Sequence, residues 1–140
     1  MDDTALLHSL RAEGRCCAQV MVAMGLRLHN AEDPFLENAA FGLCRGVQSG
    51  LTCGALTGAA MVLSMTDREL AASEMIPALT KWFAEKYTPE NGDALCRDIL
   101  AGDPGLRGPR CINLIEDVWR KTKEILEDEG FETEISEDGL

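Results

Sequence analysis

Residues 46–66 read GVQSGLTCGALTGAAMVLSMT, a run of 21 residues without a charge. That length is enough to cross a bilayer. The composition argues against it, because Gln48, Ser49, Thr52, Thr57, Ser64 and four glycines leave the run only weakly apolar. It reads instead as the buried centre of a soluble helical domain, with no membrane span. Gly42, Gly46, Gly50, Gly54 and Gly58 recur at every fourth position. In one continuous helix they would cost about 5 kcal/mol in propensity. The expectation is therefore a loop over residues 45–51, then a helix from Thr52 or Cys53 to Met65. Within that helix Gly54 and Gly58 leave room for close approach by another backbone, or by a ligand or cofactor.

Helical patterning extends to both sides. Upstream, Leu6, Leu7, Leu10, Cys17, Val20, Met21 and Met24 form one apolar stripe at helical spacing. This predicts a helix over 4–24, weakened at Gly14 and ended by Gly25. Asp33 as N-cap and Pro34 in the first turn open a second helix, running to about Cys44 with Phe35, Leu36, Ala39, Ala40 and Leu43 inward. Downstream, Thr66-Asp67-Arg68-Glu69 reads as a capping box for a helix to Tyr87, with a kink or restart near Ser73 caused by Pro77. A short helix over 93–100, a Gly/Pro loop over 101–109 and a last helix over 111–128 complete the chain. The last helix carries Ile112, Ile115, Val118, Trp119, Thr122 and Ile125 on one side. The fold class is all-α, a compact single-domain bundle of about five to six helices.

Composition agrees with that class. Of 140 residues, 46% are apolar but only 5% aromatic, a core of Leu, Met, Ala, Val and Ile that suits packed helices better than strands. The net charge is −11 and the pI is near 4.5, so a nucleic-acid interface or docking to anionic lipid is excluded as a main role. The charge is uneven: residues 1–123 carry −3 and the last seventeen carry −8. The division is a helical domain over 1–128 and an acidic, solvated tail over 129–140. Phe131, Thr133 and Ile135 alternate with acids there, a pattern that permits a short docked strand. Met1-Asp2-Asp3 offers neither a basic n-region nor an apolar stretch, so no secretory signal is expected and the localisation expected is cytoplasmic.

Against that setting stand six cysteines: Cys16, Cys17, Cys44, Cys53, Cys96 and Cys111. None forms a C-x-x-C pair, which argues against a zinc ribbon, a thioredoxin motif and covalent haem. If they act together, the helical fold must gather them. Cys53 lies at the predicted start of a helix, where unpaired backbone N–H groups favour a thiolate. Arg15, Arg45, Arg97 and Arg110 each adjoin a cysteine. His8 and His29 read as surface or capping residues, and Trp82 and Trp119 as core anchors. Met21, Met24, Met61 and Met65 read as gap-filling core residues. No Walker loop, H-E-x-x-H or serine-nucleophile elbow is present.

Cys53-Gly54-Ala55-Leu56-Thr57-Gly58 resembles the C-G-A-x-x-G motif of the C_GCAxxG_C_C redox-active protein family. Cys17-Ala18-Gln19 resembles the first cysteine of that family, Gly46 and Gly50 its glycine-rich approach, and Ala59-Ala60-Met61-Val62-Leu63 its following helix. Cys96 and Cys111 match its third and fourth cysteines. The resemblance covers about residues 10–125 and implies that Cys17, Cys53, Cys96 and Cys111 are the redox or ligand residues, with an electron-transfer or transporter-associated partner. Cys16 and Cys44 depart from the pattern, Cys16 where the family often has Asn and Cys44 where it is usually glycine. They are therefore read as packing or accessory thiols.

Three functions follow for the four matching thiols. The first is thiol–disulfide exchange with Cys53 as nucleophile; Cys17–Cys53 and Cys96–Cys111 are then plausible pairs among three possible pairings. The second is metal binding, zinc or a [2Fe–2S] centre held by the same four thiolates. The third is a helical accessory protein with inert core cysteines. The small-residue helix around Ala55–Ala60 also permits a homodimer.

Overall fold

A computed structural model describes residues 3–87 and 107–135. In it the uncharged run becomes the central helix, α4 (Gly54–Thr66), with Cys53 as its N-cap residue. Ala55, Leu56, Ala59, Val62 and Leu63 are buried along it. No helix among the described residues is long and apolar enough to cross a membrane. Burial of α4 is instead satisfied by other helices packed around it.

The predicted first helix is two: α1 (Asp3–Ala12) and α2 (Cys17–Leu28). Gly14 adopts φ +102°; its N–H donates to the Arg11 carbonyl (2.9 Å) and the Arg15 N–H to the Leu10 carbonyl (3.4 Å). This is a closed left-handed C-terminal cap rather than a kink. The apolar stripe survives the break, with Leu7, Leu10, Val20, Met21 and Met24 all buried. Gly25 does not end α2. It lies inside the helix, and a Cβ there would approach the Val62 side chain to 2.6 Å, so it serves close packing of α2 on α4. The helix ends at His29 and Asn30, the latter at φ 55°, with the Ala31 N–H bonded to the Leu26 carbonyl at 2.8 Å. Asparagine here takes the terminating role expected of glycine.

α3 (Pro34–Ala40) opens as predicted, the Asp33 carboxylate accepting from the Leu36 N–H. It is shorter than expected and tightens into a 3-10 turn at Phe41–Leu43. Its Phe35 is 85% exposed, against the inward position predicted. Arg45, Val47 and Gln48 then follow at φ 56–57°, a left-handed turn closed by the Leu51 N–H on the Gly46 carbonyl at 2.9 Å. For the β-branched Val47 this conformation is strained, of order 1–3 kcal/mol.

Asp67, not Thr66, is the next N-cap, accepting from the Leu70 N–H. From there α5 (Arg68–Leu70), a π turn (Ala71–Met75) and α6 (Ile76–Tyr87) form one bent helix. The π turn sits around Ser73, whose carbonyl loses its partner because Pro77 lacks an N–H. The last helix, α7 (Arg107–Asp128), begins earlier than predicted. It ends at Gly130 (φ +90°), with the Phe131 N–H on the Leu126 carbonyl at 3.0 Å.

With α5–α6 as one bent helix, the described residues hold six helices and no strand. The all-α single-domain expectation stands. The predicted helix over 93–100, most of the loop over 101–109, and Cys96 with them lie outside the described residues. The main core joins α1, α2, α4, α6 and α7 through residues such as Met24, Leu63, Phe83 and Val118. A smaller one, with Ala18, Val22, Ala40 and Cys44, lies between α2 and α3. The first part of the acidic tail lies on the domain: Thr133 is buried, and Phe131 and Ile135 pack against the main core.

Candidate functional site

The start of α4 is seated in a socket built by two other parts of the chain. A Cβ on Gly54 would lie 2.6 Å from the Cys17 Sγ, 2.9 Å from the Leu43 carbonyl oxygen and 3.3 Å from the Cys44 Cα. One turn on, a Cβ on Gly58 would meet the Met21 Cβ at 2.8 Å and the Ala18 carbonyl oxygen at 3.0 Å. The space beside these two glycines, open in sequence terms to a cofactor, is thus filled by α2. The glycines let α2 and α4 approach closely enough to bring the Cys17 sulfur against the first turn of α4. Since Cys53 is one residue away, the two cysteines share one small region.

Cys53 is buried and Cys17 half-buried. Cys111, in the second turn of α7, is half-buried and packs against the main core. The fourth matching residue, Cys96, lies outside the described residues, and so does the expected Cys96–Cys111 pair. Among the described residues no group of three or more His, Cys, Asp or Glu stands close enough to hold a metal ion.

The two cysteines read as accessory are the ones that meet. A disulfide joins Cys16 to Cys44 across 28 residues of sequence, with Cα atoms 6.1 Å apart. The distance is ordinary for a disulfide. Cys16 is the N-cap residue of α2 in extended conformation, its N–H donating to the Gln19 Oε1 at 3.2 Å. Cys44 follows the 3-10 turn and is completely buried. No spacing rule could have paired them, because the contact exists only once α3 folds back onto α2. The arginine beside Cys16 is engaged elsewhere: Arg15 is held by Glu37 and Glu13, each at 2.6 Å.

Near Cys53 lies a polar group with no counterpart among the sequence-based candidates. The Tyr87 hydroxyl donates to the Asp117 Oδ2 at 2.5 Å, and Asp117 also receives Lys86 and Arg120. Burial raises the Tyr87 phenol above its ordinary range; the hydrogen bond to Asp117 and the Asp117 charge add to this, Arg120 opposes it, and charge on Cys53 raises it further. Burial works against the Asp117 carboxylate, but hydrogen bonds from Lys86, Tyr87 and Arg120, with the Arg120 charge, hold it below the usual carboxylate range. The ring of Tyr87 packs edge-on to Trp82 at 5.9 Å, and the Lys86 Nζ lies 5.6 Å from the Trp82 centroid. Lys86, Tyr87, Asp117 and Arg120 border a groove of about 600 Å³ that reaches Asp3, Trp119 and Lys123. The signal in the sequence is weak, since Tyr87 and Asp117 are 30 residues apart. His8 and His29 take the surface and capping parts expected, bonded to Glu116 and Thr66.

The family model described as "Putative redox-active protein (C_GCAxxG_C_C)" matches residues 15–125. The chain belongs to this family. The matched span holds the C-G-A-x-x-G turn that seats α4, all four family-type cysteines, and Cys16 and Cys44 as well. No curated protein and no solved structure gives a match.

Proposed function

We propose that this C_GCAxxG_C_C protein is a thiol–disulfide exchange protein, with Cys53 as the attacking thiolate and Cys17 as the resolving thiol. The observation that carries the reading is the Cys17 sulfur lying against Gly54, the residue after Cys53. Cys53 begins α4, where first-turn N–H groups favour the thiolate form. The Cys53 sulfur attacks a disulfide R–S–S–R, forming Cys53–S–S–R and releasing RS⁻. The Cys17 thiolate then attacks the Cys53 sulfur and releases the second RS⁻, leaving a Cys17–Cys53 disulfide. The protein loses two electrons and the substrate gains them. Cys96 and Cys111 form the second pair, which returns those electrons from a partner dithiol. A cytoplasmic setting suits such a cycle, because its thiol pool restores the reduced state.

The test is reduction of a small aromatic disulfide by the pre-reduced protein, followed by released thiolate. Cys53→Ser is expected to abolish the fast phase. Cys17→Ser should retain the first release and trap the mixed disulfide on Cys53, visible as a mass increase. Unchanged kinetics in Cys53→Ser would remove it from the role of nucleophile.

A further inference from the structure

We propose that Cys16 and Cys44 form a second, reversible redox site, which closes the socket around Cys17 and Cys53 when oxidised and opens it when reduced. This rests on the exchange reading above and assigns its regulation. The geometry is that of a clamp. The two walls against Gly54 are α2, through Cys17, and the end of the 3-10 turn, through Leu43 and Cys44. The disulfide ties these walls together, from the residue before Cys17 to the residue after Leu43. Two polar contacts support the same closure: Arg15 Nε on the Glu37 Oε1 at 2.6 Å, and Gln19 Nε2 on the Glu37 carbonyl at 3.1 Å. Beyond Cys44 the chain enters the left-handed turn, with Arg45, Val47 and Gln48 all at positive φ. A segment held in that conformation relaxes when a tether beside it is cut. Cys53, only 6% exposed with the tether in place, would gain access to solvent.

The chemistry has a defined direction. Cys16 is half-buried while Cys44 is completely buried, so a low-molecular-weight thiol attacks the Cys16 sulfur. The Cys16–Cys44 bond breaks, its electron pair leaves on the Cys44 sulfur, which takes up a proton, and Cys16 carries a mixed disulfide. A second thiolate attacks the thiol-derived sulfur of that adduct, freeing the Cys16 thiolate, and leaves as the symmetrical disulfide. Two thiols are oxidised and one protein disulfide is reduced. Oxidised glutathione drives the reverse.

The experiment uses the full chain carrying Cys17→Ser, so that no Cys17–Cys53 disulfide consumes Cys53. It is treated with oxidised glutathione and freed of it, then with dithiothreitol, and alkylation of the Cys53 thiol is followed by peptide mapping. In the oxidised protein, tryptic peptides 16–27 and 28–45 should be cross-linked, and the link should persist in Cys17→Ser. Loss of the link is expected to speed Cys53 alkylation by about ten-fold. Adding Cys44→Ala to that chain should give the fast rate in both buffers; if that variant does not fold, the comparison of the two buffers in Cys17→Ser decides alone. A Cys53 rate that is the same with and without the link overturns the clamp. So does a link that disappears in Cys17→Ser. Either result leaves the exchange reading standing if the pre-reduced protein still reduces the aromatic disulfide through Cys53. Failure of Cys53→Ser to lose activity counts against that reading instead.

Discussion

Tyr87 is the sole tyrosine of the chain, so its phenol can be followed without interference from another. Burial and the Asp117 carboxylate both hold it protonated. Its ultraviolet titration should therefore lie well above the ordinary tyrosine value, about 10, and Asp117→Asn should bring it down. A midpoint at the ordinary value in the native protein would show that the hydroxyl is not in this bond. The same carboxylate makes a pH-dependent contribution to stability. Its folded-state pKa is depressed, so the contribution is complete above the ordinary value of 3.8 and is lost as the pH falls through the lower folded value. At neutral pH, Asp117→Asn should cost about 1–3 kcal/mol by chemical denaturation, and the gap to wild type should narrow in acid. A gap that is constant with pH would mean the ion contacts contribute nothing. None of this could be read from sequence, where Tyr87 and Asp117 are ordinary polar positions on two predicted helices. The pairing depends on how α6 and α7 cross.

Among the elements, α4 carries the most consequence. Its start, its end and its burial were legible, because an uncharged stretch bounded by a glycine-rich turn and a capping-box sequence has few other solutions. The packing purpose of Gly54 and Gly58 was legible as one of two alternatives. Gly54→Ala forces the new methyl onto the Cys17 sulfur and the Leu43 carbonyl, and should cost about 1–3 kcal/mol. It should also alter Cys17 alkylation, since that sulfur must move. Gly42→Ala is the contrasting case: no atom lies within 4 Å of the new Cβ and its φ is not positive, so it should stabilise by roughly 0.4–1 kcal/mol. Equal effects from the two would contradict the close seating of α4. The errors at this scale have a common cause. Helical periodicity runs straight through Gly14 because the stripe resumes in phase, whereas the backbone there is left-handed. Gly25, by contrast, looks like a stop signal yet lies within a helix, where Val62 claims the space a side chain would occupy.

For the whole molecule, the fold class followed from composition and periodicity, and the family cysteines from the motif around Cys53. The topology that brings α3 back onto α2 did not, and with it the Cys16–Cys44 contact, which is why two residues outside the family pattern read as packing. Among the described residues, the molecule that results gathers Cys16, Cys17, Cys44 and Cys53 around the first turn of α4. The central claim is that this gathering is a redox centre rather than core filling. The direct measurement is a thiol count by mass after rapid alkylation, on full-length protein equilibrated across a series of glutathione redox buffers. The account predicts reversible steps of two thiols, with Cys53 and Cys17 oxidised together in one of them. Six thiols alkylated at every potential in the unfolded, quenched protein would contradict it.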